Sequence, residues 1–256
     1  MRSRATTAGP ADADRRPPWR DRPALVSLSH VNDPATTSVF PGDPPFALET
    51  VATVERDGYH LQYVRQGEHT GTHWGAPGHF NPKEPLADEL DPDDFLLPAV
   101  TIDVRDRCAR DADYAVTVAD VESWERRHGR IPDESMVIIR TGWESRWGTP
   151  AFANTDADGV LHQPGFALET VQWLVDTGRI GHRGGTGTDT FGPDVGRDGS
   201  YAVSKLVHRR HRLSLEVLAN LAALPPTGAF VLCGGTVNRR GSGSAATIYG
   251  ILPSTH

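Results

Sequence analysis

Apolar and polar residues alternate along this chain in short blocks, and the blocks change period. Ala24-Leu25-Val26-Ser27-Leu28-Ser29-His30 is a brief apolar stretch that predicts a strand. Leu48 to Val54 and His60 to Val64 predict two more strands, leading into a histidine-rich segment. Pro98 to Val104 and Met136 to Ile139 read as buried strands, the second delivering Arg140-Thr141-Gly142-Trp143 at its C-terminal end. Between them the period turns helical. Thr117, with Asp120 three residues on, makes an acidic variant of the capping box; Val121 and Trp124 give an apolar face, and Gly129 and Pro132 close the helix. A second helix is predicted over about 167–176, with Val171, Leu174 and Val175 on one side and Gly178 as its stop. Ala229 to Cys233 predicts a strand, and Ile248 to Leu252 closes the domain. Strands interspersed with helices predict an α/β fold.

Between these elements lie Gly, Pro, Ser and Thr. Asp33 to Pro45 reads as loop, with a turn at Phe40-Pro41-Gly42-Asp43-Pro44. Gly184 to Asp194 has the glycine density of tight turns or close backbone approach, which makes it a candidate site loop. No Lys-Ser/Thr follows those glycines, so they do not read as a phosphate cradle. Gly241 to Ser244 reads as another loop. Residues 1–23 carry several Arg, Asp and Pro and no apolar stretch, which predicts a disordered arm. Residues 24–256 are read as one domain, since 256 residues at 38% hydrophobic content can bury a substantial core.

Charge and composition exclude some function classes. The formal net charge is −7, and the arginines are scattered among acids with no basic stripe, so no nucleic-acid partner is expected. No apolar run approaches the roughly 20 residues that span a bilayer. With no secretory pattern in the first residues, the expectation is a cytoplasmic protein without a membrane partner. Two cysteines, Cys108 and Cys233, are too few for a disulfide framework and read as buried or half-buried thiols near strand ends. His208-Arg209-Arg210-His211-Arg212 reads as a solvated basic face.

The chemistry concentrates in His69-Thr70-Gly71-Thr72-His73-Trp74-Gly75-Ala76-Pro77-Gly78-His79-Phe80. Imidazoles packed this closely, with glycines that let the backbone bend round a centre, suit a metal or proton-transfer site. The segment resembles the signature of a cyclase family that includes kynurenine formamidases and isatin hydrolases. That signature reads His-x-Gly-Thr-His-x-Asp-x-Pro-x-His, and one position departs from it. Gly75 stands where the family places its metal-binding aspartate. The resemblance extends from about Leu25 to Pro253 through Arg140-Thr141-Gly142-Trp143, the Asp189 to Asp194 loop, and Glu216-Val217-Leu218-Ala219-Asn220-Leu221. It implies a layered, swivelling β/β/α architecture and a homo-oligomer, dimer or tetramer. Ser204 falls where the family commonly carries a further histidine, unless His208 or His211 replaces it, and Val217 stands where the family has Asn.

In the family site, as the resemblance implies, two histidines and the aspartate hold zinc or manganese and activate a water. Here His69 and His73 are the remaining nitrogen ligands and Glu216 a candidate oxygen ligand. The cofactor expectation is therefore none, or a single weakly bound divalent ion, and an aspartate restored at position 75 is expected to raise metal affinity. Three readings stay open. One is acid–base chemistry without a complete metal centre, giving ring closure, dehydration or isomerisation of a small carbonyl compound. His73 or His79 then acts as base or acid, and Glu216 orients an imidazole or shuttles the proton. The second is a mononuclear metal-dependent hydrolase of the kynurenine formamidase type. The third is a non-catalytic relative that binds a small molecule. Ser204 is expected to hydrogen-bond the substrate, Trp74 and Trp143 to wall it in, and Asp189 and Asp194 to tie loops through backbone N–H groups.

Overall fold

A chain of short strands becomes stable by pairing them into one large sheet and burying both of its faces. The computed structural model describes residues 23–253, so all of the expected N-terminal arm but Pro23 lies outside the described residues. In chain order the strands are β1 (Leu25–Ser27), β2 (Ala47–Ala52), β3 (Leu61–Arg65), β4 (His73–Gly75), β5 (Leu96–Asp103), β6 (Ala115–Val116) and β7 (Met136–Arg140). They continue as β8 (Gly165–Phe166), β9 (Gly185–Thr188), β10 (Leu213–Glu216), β11 (Ala229–Cys233), β12 (Gly243–Ala245) and β13 (Ile248–Ile251). The helices are α1 (Val54–Asp57), α2 (Arg105–Cys108), α3 (Val118–His128), α4 (Leu168–Asp176) and α5 (Ala202–Val207).

Nine strands make one curled sheet in the order β1-β13-β11-β5-β7-β9-β10-β4-β12. Its centre, β5 to β10, is parallel, and both flanks are antiparallel. β2 and β3 stand apart as a hairpin. The inner face of the curl carries Leu97, Ile138, Leu215, Val231 and Ile248 among other fully enclosed side chains. The outer face of the parallel centre packs Val100, Ile102, Val137 and Ile139 against the apolar sides of α3 and α4 and against Val203, Leu206 and Val207 at α5. Each such buried aliphatic side chain contributes on the order of 1.5–3 kcal/mol. The mixed α/β class is as the sequence pattern reads, and α3 starts as its motif implies. Thr117 Oγ1 accepts from Asp120 N, and Asp120 Oδ2 accepts from Thr117 N at 2.9 Å.

Four local expectations change. Gly185 to Thr188 is not loop but a central strand, because its glycines lie where strands nearly touch: a Cβ on Gly185 would sit 1.9 Å from the Leu213 carbonyl oxygen. Gly243 to Ala245 is likewise a strand, at the sheet edge. Cys108 ends the short helix α2 rather than a strand. His208 and Arg212 are buried, not solvated: Arg212 satisfies its guanidinium on the carbonyls of Val207 and Gly181, at 2.8 and 3.0 Å.

Candidate active site

β4 and β10 run antiparallel, and their register sets His73 directly opposite Glu216 and Gly75 opposite Ser214. Successive strand residues face opposite sides, so His73 and Glu216 share one face while Trp74 and Leu215 point into the core. His73 Nε2 lies 3.2 Å from Glu216 Oε2. The other ring nitrogen, Nδ1, is 2.8 Å from the Gly71 carbonyl oxygen. A carbonyl only accepts, so Nδ1 carries a proton. Nε2 can then face a carboxylate without lone-pair repulsion if one further proton is held between the two groups. The pKa directions agree with that arrangement. Burial opposes charge on His73, but the Glu216 carboxylate outweighs it and raises the imidazole above its ordinary value. Burial likewise opposes ionisation of Glu216, yet His73 holds it down at about 2.

The pair makes stability depend on pH. Glu216, depressed in the fold, stabilises it above the free value of 4.5, and that contribution is lost as pH falls through about 2. His73, raised in the fold, stabilises it below the free value of 6.5, and that contribution is lost as pH climbs through its raised value. The stability gap between wild type and Glu216→Gln, followed by urea unfolding, is therefore expected to be widest between pH 4.5 and 6.5. A gap that does not vary with pH would show that no proton is shared.

His69 and His79 lie beside this pair. Ser242 donates its hydroxyl hydrogen to Glu68, which leaves the Ser242 oxygen to accept from His69 Nε2 at 2.9 Å. The His69 ring stacks on His79, centroids 4.0 Å apart, and burial holds its pKa at about 2. His79 stands exposed at the mouth of the site, and the burial it does have lowers its pKa. Burial thus favours the neutral form of His69 and His79, while Glu216 favours the charged form of His73.

These groups open on a cavity of about 350 Å³. Phe40, Phe80, Phe191 and Tyr201 line it, with Phe40 to Phe191 centroids 5.8 Å apart and Phe80 to Tyr201 5.7 Å apart. Ser204 also lines it, but its hydroxyl donates to Asp194, whose carboxylate accepts from Val203 N and Ser204 N as well. Asp189 accepts from Thr141 N, Thr141 Oγ1 and Glu144 N.

The structure therefore brings His69, His73, His79, Glu216 and Ser204 to one cavity and leaves two expected wall residues outside it. Trp74 falls on the opposite strand face, its indole N–H on the Gly234 carbonyl and its ring against Phe95. Trp143 is buried behind Phe191 and Phe152, with its N–H on the Phe152 carbonyl. The aromatic wall comes instead from Phe40, Phe191 and Tyr201. Sequence reading missed all three, although an aromatic residue set in a Gly/Pro loop is the signal that marks them. The backbone is strained just past Glu216: Val217 has φ +55°, a conformation that suits the family's Asn better than a β-branched residue.

The fit to a metal is poor. His69 Nε2 is engaged by Ser242 and position 75 supplies no carboxylate, while buried His73 Nε2 faces Glu216 at 3.2 Å without a well-aligned hydrogen bond. Among the described residues no three His, Cys, Asp or Glu side chains converge as a ligand set.

The family model described as "Cyclase: Putative cyclase" matches residues 26–195. The chain belongs to that cyclase family. The relatives it matches carry the names of enzymes. Isatin hydrolase of Roseibium aggregatum is 29% identical over 221 residues, 82% of each chain, and kynurenine formamidase of Paracidovorax citrulli is 25% identical over 73% of this chain and 77% of its own. Isatin hydrolase A from Ralstonia solanacearum superposes with a TM-score of 0.85 at 32% identity, covering 98% of this chain and 100% of that one. Isatin hydrolase A from Labrenzia aggregata, solved with benzyl benzoate bound, gives 0.82 at 30% identity over 90% and 93%. This cyclase-family chain is a hydrolase-like enzyme.

Proposed function

We propose that the enzyme performs acid–base chemistry at the carbonyl of a small, flat compound, without a complete metal centre. The observation that carries this reading is the His73–Glu216 contact at 3.2 Å, which sets a carboxylate where it favours a proton on the imidazole. A substrate slotted between the phenylalanines presents its carbonyl oxygen to His73, which donates the proton as negative charge develops there. His79, neutral and at the cavity mouth, takes a proton from a carbon or hydroxyl of the substrate. The two transfers leave the enzyme one proton displaced, and return of that proton through solvent at His79 closes the cycle. Environments that separate the pKa values of neighbouring groups in this way are how acid and base roles are divided. Ring closure by addition of a substrate hydroxyl to that carbonyl needs only these two transfers; dehydration needs a further proton on the departing hydroxyl, and isomerisation a return of both protons to the enol.

Metal-dependent hydrolysis is the second reading, favoured by the names of the relatives that cover nearly the whole chain. The benzyl benzoate and thioisatinate bound by two of the isatin hydrolase neighbours support a flat aromatic substrate on either reading. Assaying isatin, N-formyl aromatic amines and open-chain aromatic keto acids with and without a chelator separates the two. Turnover that survives chelation is expected; turnover abolished by the chelator and restored by zinc or manganese would overturn the first reading.

The protein is proposed to work as a homo-oligomer in the cytoplasm. Its two cysteines are unpaired, which suits a reducing compartment, and no helix among the described residues is long and apolar enough to cross a membrane. Leu96, Phe230, Leu232 and Tyr249 lie exposed on the outer face of β5, β11 and β13, where no helix among the described residues covers the sheet. β3 is exposed along its whole length, with Leu61, Tyr63 and Val64 uncovered. An isolated hairpin is marginal in water, so a second copy that covers it and the bare sheet face accounts for both. Light scattering is expected to give a dimer or tetramer, and Leu232→Asp with Tyr63→Asp a smaller species. A wild-type monomer at micromolar concentration would contradict this.

A further inference from the structure

Between β7 and β8 the chain makes a long excursion that closes on Gln163, a polar side chain only 2% exposed that nevertheless lines the cavity. Its carboxamide spans two segments with opposite needs. Nε2 donates to the Phe152 carbonyl at 2.6 Å, and Oε1 accepts from the Phe191 N–H at 2.9 Å. A carbonyl only accepts and an N–H only donates, so these partners fix which end of the amide is which. The main chain of Gln163 holds a second point on the same wall, its carbonyl accepting from Gly196 N at 2.8 Å. Glycine is needed for that approach, since a Cβ on Gly196 would lie 2.6 Å from Gln163 N. One residue thus braces both ends of the segment 191–196, which brings Phe191 and Gly196 to the cavity.

We infer that Gln163 is a positioning residue for the substrate: it fixes Phe191, and through that ring it sets the aromatic face against which a flat compound is held. Phe191 stands edge-on to Phe40 at 5.8 Å and 75°, and to Phe152 at 5.0 Å and 87°. The plane of its ring is therefore set from two sides, and Gln163 is bonded both to Phe191 and to the backbone that carries Phe152. The Phe152 carbonyl also takes the Trp143 indole N–H at 2.8 Å, which ties the brace to the core behind the wall. Few side chains can bridge these two points. Asparagine is a methylene shorter, an ionised glutamate has no donor for Phe152, and leucine leaves the buried Phe191 N–H without an acceptor. The inference rests on the reading that a flat aromatic compound fills the cavity, and is independent of whether a metal takes part.

Isatin serves as the probe, its affinity measured by calorimetry on the full chain for wild type, Gln163→Leu, Phe191→Leu and the double variant. Gln163→Leu is expected to weaken isatin about tenfold on its own, and less than about twofold in the Phe191→Leu background, where the aromatic contact is already gone. Additive losses would mean that Gln163 acts on the ligand without Phe191, and would overturn the inference. Where isatin is turned over, the loss should fall in KM more than in kcat. Hydrogen exchange needs no ligand: the Phe191 amide is expected to exchange at least about tenfold faster in Gln163→Leu, and an unchanged rate sinks the proposal. Should isatin fail to bind wild type, the flat-aromatic reading falls, while the exchange rates still decide whether Gln163 holds Phe191. Should Gln163→Leu not fold, Gln163→Glu keeps the volume. Its protonated carboxyl can donate to Phe152 and accept from Phe191, whereas its carboxylate can only accept. Burial keeps such a carboxyl protonated to higher pH than usual, so isatin affinity relative to wild type is expected to fall as pH rises from about 5 to 8. A ratio that does not change with pH contradicts the assigned role.

Discussion

Turnover by a Glu216→Gln enzyme is expected to fall by about 10²–10⁴-fold, the usual worth of a positioned acid or base. Glutamine matches glutamate in shape, so the β4–β10 register and the cavity persist, while the negative charge beside His73 disappears. His73 Nδ1 stays on the Gly71 carbonyl, and Nε2 then faces a neutral amide and has no reason to hold a second proton at neutral pH. The acid is lost, although every contact made by the substrate's body remains. The loss should therefore appear in kcat more than in KM. His73→Ala should cost about as much, and the two changes together little more than either, since they remove one functional unit. Normal turnover by Glu216→Gln would mean that the buried pair is structural and that the chemistry lies elsewhere in the cavity.

The largest effect on stability is expected at Asp189. Its carboxylate is fully buried and accepts from Thr141 N at 2.9 Å, Thr141 Oγ1 at 2.7 Å and Glu144 N at 3.2 Å. Burial raises its pKa, and the Thr141 and Glu144 hydrogen bonds pull against that rise. Asp189→Ala strands three buried donors at once. Each unsatisfied group costs about 1–3 kcal/mol, which places the whole change at the severe end, roughly 3–5 kcal/mol. For a domain of this size the melting temperature should drop by roughly 10 °C or more. Because Asp189 ties the end of β7 to the segment carrying Phe191, the surviving folded protein should also bind aromatic ligands more weakly. A melting temperature within about 2 °C of wild type would show that solvent satisfies those donors and that the loop is held by packing instead.

Much of this was legible in the chain before any coordinates, for identifiable reasons. The capping box at Thr117, the apolar stripe of α3 and the run Met136 to Ile139 are local signals, and each folds as its period dictates. The histidine motif was legible as chemistry because residue type and spacing carry it. What failed was anything decided by close approach between distant strands. The glycines of 185–188 look like loop in sequence because the reason for them, the Leu213 backbone, is a strand away. Trp74 was misplaced for a subtler reason. Once β4 is known to be a strand, alternation puts it opposite His73, but three residues flanked by Gly and Pro give no period to read. His208 was hidden by its neighbours: Arg209 and Arg210 are exposed, and only the fold shows that the basic run buries its two ends.

The most direct test of the central claim is elemental analysis of protein purified without chelator, paired with turnover before and after exhaustive chelation. If a proton shared by His73 and Glu216 performs the chemistry, zinc and manganese together should lie well below one ion per chain, and turnover should be the same in both samples. Close to one firmly held ion per chain, with activity that leaves and returns with it, would contradict the account.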